Sequence, residues 1–127
     1  PLDDPSQALR ASTTAEALIL EEERYGLAIT GLDRRVRAAT VAYRSAARLL
    51  EIRERALALG EERLRLAGLG ASLGRATRTE RLEAELKRAG LAIEVVDAVL
   101  GLIGAERRLE ALLDLAPGSL ARFLERL

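Results

Sequence analysis

Apolar residues recur at alternating spacings of three and four along two long stretches of this chain, and that spacing restricts the fold to paired helices. Ile29, Leu32, Val36, Ala39, Tyr43, Ala46 and Leu50 form the first run, and Leu57 and Leu64 extend one of its rows. Leu82, Leu86, Ala89, Ile93, Val96, Leu100 and Ile103 form the second. A row with this alternation stays on one side of an α-helix and makes a coiled-coil seam. No window alternates with the period of two that a strand requires. Between the seams lies GLGASLG, residues 68–74, which holds Gly68, Gly70 and Gly74. Two seams joined by a glycine-rich turn predict an all-α fold, a long antiparallel coiled-coil helical hairpin with no β-strands.

The element boundaries follow from caps and breakers. Residues 1–5 read as an extended lead-in, with Asp4 or Ser6 as N-cap and Pro5 in the first turn, where its missing N–H is tolerated. Residues 6–67 read as a long first helix, bent or broken near Gly26–Gly31. Gly68 or Gly70 is expected to end it, residues 68–74 to form the tip, and Ser72 to help start the second helix. Residues 75–115 read as the returning helix, which stops before Pro117–Gly118. Residues 116–127 read as a linker and a short terminal helix, capped by Ser119 and carrying Leu120, Phe123, Leu124 and Leu127. A turn about Ala71 would set Tyr43 near Leu100, Leu50 near Ile93 and Leu57 near Leu86.

A second apolar surface accompanies the seams. Ile52, Leu59 and Leu66 lie nearly opposite Leu50, Leu57 and Leu64. On the returning helix Leu91, Ala98, Ala105 and Leu112 lie away from its seam, and Val95, Leu102 and Leu109 add a further row. A lone hairpin buries one inner seam, so these rows would face water, and contiguous exposed apolar area marks an interface. The expected lateral interface is therefore Ile52, Leu59, Leu66, Leu91, Ala98 and Leu112, and the chain is expected to be a homo-oligomer. In the alternative, the terminal segments fold back over these rows as a four-helix-like bundle.

Composition excludes much chemistry. Twenty basic and 20 acidic side chains cancel, which gives no electrostatic reason to expect nucleic acid or anionic lipid as partner. Without Cys or His there are no thiolate or imidazole metal ligands, no Cys nucleophile and no His-based triad. Glu21, Glu22 and Glu23 are consecutive on a helix and point in different directions, so they cannot converge on one metal or substrate. GLGASLG lacks the spacing, the preceding strand and the Lys-Ser/Thr pair of phosphate-binding loops. No catalytic residue, cofactor or metal is expected, and the chain is not read as an enzyme. The most apolar stretch, Leu91–Ala105, carries Glu94 and Asp97 and is too short and too charged to span a bilayer. Nineteen of the 20 basic residues are Arg, which points to a GC-rich or thermophilic source. A start at Pro1 with no Met anywhere implies a processed or excised segment.

Residues 41–115, from VAYRSAARLL to EALLDL, resemble TolC-like outer-membrane efflux proteins. The features that carry the resemblance are Ala42–Tyr43, the ERLRLA run from Glu62 to Ala67, Gly68 and Gly70, Ser72, Ala84–Glu85, and the leucine-rich Leu109–Leu115. DDPSQALRAS is more weakly similar to the family's N-terminal start. The resemblance implies a trimeric α-helical duct in the cell envelope, on the periplasmic side of the outer membrane. It also implies docking to a periplasmic adaptor protein, with Leu69, Gly70, Ser72 and Gly74 at the partner-contacting tip. No direct membrane span is expected in this chain, which lacks the family's barrel strands and holds one hairpin where the family repeats it. That implies an excised hairpin or a barrel-less relative. The rival identities are the hairpin of a periplasmic adaptor (membrane fusion) protein and a free-standing coiled-coil scaffold.

Overall fold

A computed structural model describes residues 4–126, which form three helices and no strand: α1 (Pro5–Ser72), α2 (Arg78–Leu112) and α3 (Leu120–Leu124). The first three residues of the expected lead-in, and Leu127 of the terminal helix, lie outside the described residues. Packing divides the chain into a unit up to Arg37 and a unit from Ala38 onward.

In the first unit the helix opens at Asp4, whose carboxylate accepts the backbone N–H of Ser6 at 3.1 Å and also the Ser6 hydroxyl. Asp4 is thus the N-cap and Pro5 the first helical residue, where no N–H is missed. The helix runs unbroken through Gly26 and Gly31, so the expected break is absent. The hydroxyls of Thr13, Thr14 and Thr30 each donate to the carbonyl four residues back. Side chains from Asp4 to Thr30 are exposed.

The second unit is the antiparallel coiled-coil hairpin. On α1 the expected seam faces inward, with Ala39, Tyr43, Ala46, Leu50, Leu57 and Leu64 half-buried. On α2 the structure reverses the expectation. Leu91 lies against Gly60 of α1, Ala98 is buried beside Ala46 and Leu49, and Val95, Leu102, Ala105, Leu109 and Leu112 on the same side of the helix are half-buried or buried, whereas Leu82, Leu86, Ile93, Val96, Leu100 and Ile103 face water. Both stripes have coiled-coil spacing and stand on opposite sides of one helix, so periodicity cannot rank them. Close approach and charge do. Gly60 is buried with Leu91 over it, and a Cβ there would lie 2.6 Å from Leu91 Cδ1. Ala98, 5% exposed, is similarly small. Arg53 pairs with Glu94, and Glu61 with Arg88 at 3.4 Å, both across the two helices. These pairs also correct the register: Gly60 meets Leu91 and Arg53 meets Glu94, where Leu57 was expected near Leu86 and Leu50 near Ile93. The slip is about one to two helical turns.

The tip differs too. α1 continues through Gly68 and Gly70 and ends at Ser72. Gly74, at φ +67°, is the residue that stops it. Its N–H donates to Ala71 O at 3.2 Å and the next N–H, from Arg75, to Gly70 O at 2.7 Å. This is a Schellman closure, in which a left-handed glycine turns the chain out of the helix. Ser72 belongs to the first helix, its hydroxyl donating to Leu69 O at 2.8 Å. The second helix is started by Thr77, whose hydroxyl accepts Glu80 N–H at 3.2 Å while the Glu80 carboxylate accepts Thr77 N–H at 2.6 Å. That reciprocal capping box satisfies two N–H groups that have no partner within the helix. α2 thus runs from 78 rather than 75, and ends at Leu112 rather than 115.

At the other end Glu110 clasps the terminal segment. The chain leaves α2 through Asp114, at φ 53°, and returns so that Leu120 is buried. Glu110 Oε1 accepts the N–H of Gly118 at 2.8 Å and of Leu120 at 3.1 Å, while Oε2 accepts from Arg107 at 2.9 Å. Ser119, expected to cap α3, makes no such bond with its side chain and donates to Ala116 O instead. Burial pushes the Glu110 carboxyl up, but the Leu120 N–H, the Arg107 guanidinium and the Gly118 N–H outweigh it and hold its pKa below the usual carboxylate value.

Gly74→Ala and Thr77→Ala are each expected to lower stability by about 1 kcal/mol in urea denaturation followed by circular dichroism. Gly68→Ala, inside the helix with open space at the Cβ position, is expected to raise stability by up to about 1 kcal/mol. Because its folded pKa is lowered, Glu110 contributes fully to the clasp above its ordinary value of 4.5 and loses that contribution as pH falls through the folded value. The amide resonances of Gly118 and Leu120 should therefore titrate together below that value, and Glu110→Gln should abolish the titration.

Candidate functional site

With its Leu91/Ala98/Leu109 stripe turned inward, α2 presents the other stripe to solvent. Ile93 is 63% exposed and Leu100 62%, and Leu82, Leu86, Val96 and Ile103 are exposed with them. This α2 seam runs four turns and more without a charged residue in any seam position. The flanking positions hold Glu83, Glu85, Asp97 and Glu106, two glycines, an alanine and a valine, with no basic residue among them. A charge-free apolar stripe edged by acids has the make-up of a helix-packing face, not of a solvated surface.

α1 carries its own outer row. Ile52 and Leu59, 60% and 65% exposed, and Leu66 stand in water as expected. The half-buried Ala56 and the exposed Arg63 fall between them at coiled-coil spacing, and the exposed Leu49 extends the row ahead of Ile52. Sequence reading missed Leu49 because it adjoins Leu50 of the inner seam. Only the direction of the neighbouring helix separates the two. Leu91 and Ala98, expected in the lateral interface, instead belong to the contact between α1 and α2, and Leu112 is half-buried.

At the tip Leu69, Ser72 and Gly74 are exposed, and the turn sets Leu73 beside them as a further exposed apolar side chain. Gly70 is half-buried, with the Cβ of Ala76 only 3.0 Å from the position its own Cβ would take. Its role is to let the returning strand of chain pass close by. The groove between the helices, lined by Ala46, Leu49, Arg53, Glu94, Ala98 and Gly101 among others, encloses ≈ 190 Å³. That is smaller than the roughly 300 Å³ or more of a small-molecule site. Glu21 pairs with Arg24 at 3.2 Å, and among the described residues no three carboxylates are grouped to hold a metal ion. No described helix is long and apolar enough to cross a membrane.

Among the described residues the buried apolar side chains are Ala98, Leu109 and Leu120. No family model matches the chain, and no curated protein or solved structure is significantly similar to it.

The assignment of inner and outer stripes has a direct check. Leu109, 4% exposed, lies inside, so Leu109→Ala should cost about 3 kcal/mol in urea denaturation of dilute protein. Leu100→Gln, on the outer stripe, should change stability by less than about 0.5 kcal/mol under the same conditions. The opposite ranking would restore the Ile93/Leu100 stripe to the inside.

Proposed function

We propose that this chain is a structural component of a transport assembly, a helical hairpin that packs side by side with its like and presents its tip to a partner. The observation that carries it is the α2 seam, a complete coiled-coil stripe left in water while the helix already has a partner on its other side. A helix apolar on both sides is built for neighbours on both sides. Read with the resemblance of residues 41–115 to TolC-like efflux proteins, the assembly is the periplasmic α-helical duct of such a protein, beneath the outer membrane. The subunit number is then three. The exposed Leu69, Ser72, Leu73 and Gly74 form the end that meets a periplasmic adaptor protein. The chain acts by shape and surface, lining a passage, and performs no bond chemistry.

Sedimentation of the purified chain across a concentration series tests this. Reversible association toward three copies is expected, with binding of an apolar-surface dye falling as the assembly forms. A chain that stays monomeric at every concentration, or that stops at an isolated dimer, overturns the duct reading.

A further inference from the structure

The two outer stripes differ in charge, and that difference selects between ways of pairing them. The α2 seam is edged only by acids: Glu83, Glu85, Asp97 and Glu106. Of these, Glu85 is tied to Arg81 at 3.1 Å, while Glu83 and Asp97 are exposed and enter no ion pair within the described residues. The α1 row is edged by Arg48 and Arg55 and includes Arg63, all exposed and outside any ion pair within the described residues. The acid beside it, Glu62, is already neutralised by Arg65 at 2.6 Å. One stripe is thus apolar with negative edges and the other apolar with positive edges.

We infer that the α2 seam of one copy packs on the α1 outer row of the next, so that copies join head to tail through two different faces. This deepens the lateral packing proposed above and rests on it. Pairing α2 seam with α2 seam would bring two acidic margins within a Debye length of each other, and pairing α1 rows would do the same with arginines. Like charges at flanking positions oppose a coiled-coil contact, and opposite charges favour it. Only the mixed pairing buries both stripes and matches both margins. A contact between unlike faces does not saturate at two copies. It continues until the rotation closes a ring or a filament grows.

Blocking one face at a time separates the possibilities. The variant Ile52→Glu/Leu59→Glu blocks α1, and Ile93→Glu/Leu100→Glu blocks α2. Each substituted side chain is exposed, so helicity by circular dichroism is expected to be unchanged. Each variant alone should self-associate roughly tenfold more weakly or worse. Mixed, they should form a one-to-one heterodimer that grows no further, because each retains the face the other needs. If the α1-blocked variant still dimerises alone, or the mixture stays monomeric while the unsubstituted chain associates, the head-to-tail pairing is wrong although lateral packing survives. An unsubstituted chain that never associates removes both. Should a blocking variant lose helicity, charge reversal gives the same answer. Arg48→Glu/Arg55→Glu and Glu83→Arg/Asp97→Arg should each weaken association and restore it when mixed, and no restoration overturns the pairing.

Discussion

Gly60 lets Leu91 lie against the backbone of α1, and the orientation of α2 follows from that contact together with the small Ala98. α2 is apolar on two opposite sides, and burial alone is nearly indifferent between them. Gly60 makes room for Leu91 near the tip, and further along the small Ala98 is buried beside Ala46 and Leu49. Around these contacts Arg53 finds Glu94 and Glu61 finds Arg88. Such half-exposed ion pairs add little energy each, yet they penalise rotating or sliding α2. The inner face is therefore chosen by fit and charge registry, and the larger Ile, Val and Leu side chains are left outside. Everything proposed about assembly descends from that choice.

The two ends of α2 are finished by polar groups that reach across short stretches of chain. At the tip, Gly74 closes α1 and Thr77 with Glu80 opens α2, so only Arg75 and Ala76 separate a left-handed exit from a capped entry. At the far end the buried Glu110 accepts the N–H groups of Gly118 and Leu120. A carboxylate from one helix thereby takes the part that a side-chain cap would play for α3. Both devices leave the long outer stripes untouched, which is why the hairpin can be complete and still expose so much apolar surface.

Much of this was legible in the residues. The 3-4 spacing identified two helices, the glycine cluster placed a turn between them, and the α1 seam was assigned to the correct side from Ala39 to Leu64, whereas Ile29 and Leu32 at its start are exposed. The start of α2 was legible as well, since Thr77-Arg78-Thr79-Glu80 spells a capping box, although Ser72 among the glycines offers a competing helix start. Gly68 and Gly70 lie inside the helix because only Gly74 adopts the left-handed backbone that a Schellman closure needs. No residue type announces which of several glycines will do so. Ser119 looked like a side-chain cap, but its hydroxyl donates to Ala116 O, and the first N–H of α3, from Leu120, goes to Glu110 instead.

The sequence alone determined that this chain is a helical hairpin, because helical period and turn chemistry are local properties that each residue carries with it. It also determined that more apolar stripes exist than one hairpin can bury. Which stripe of α2 faces inward, and the register at which it does so, was decided only by the tertiary structure. Two stripes of equal spacing on one helix differ in nothing that periodicity measures. They differ in how closely the other helix can come and which charges it then meets, and those are properties of the pair.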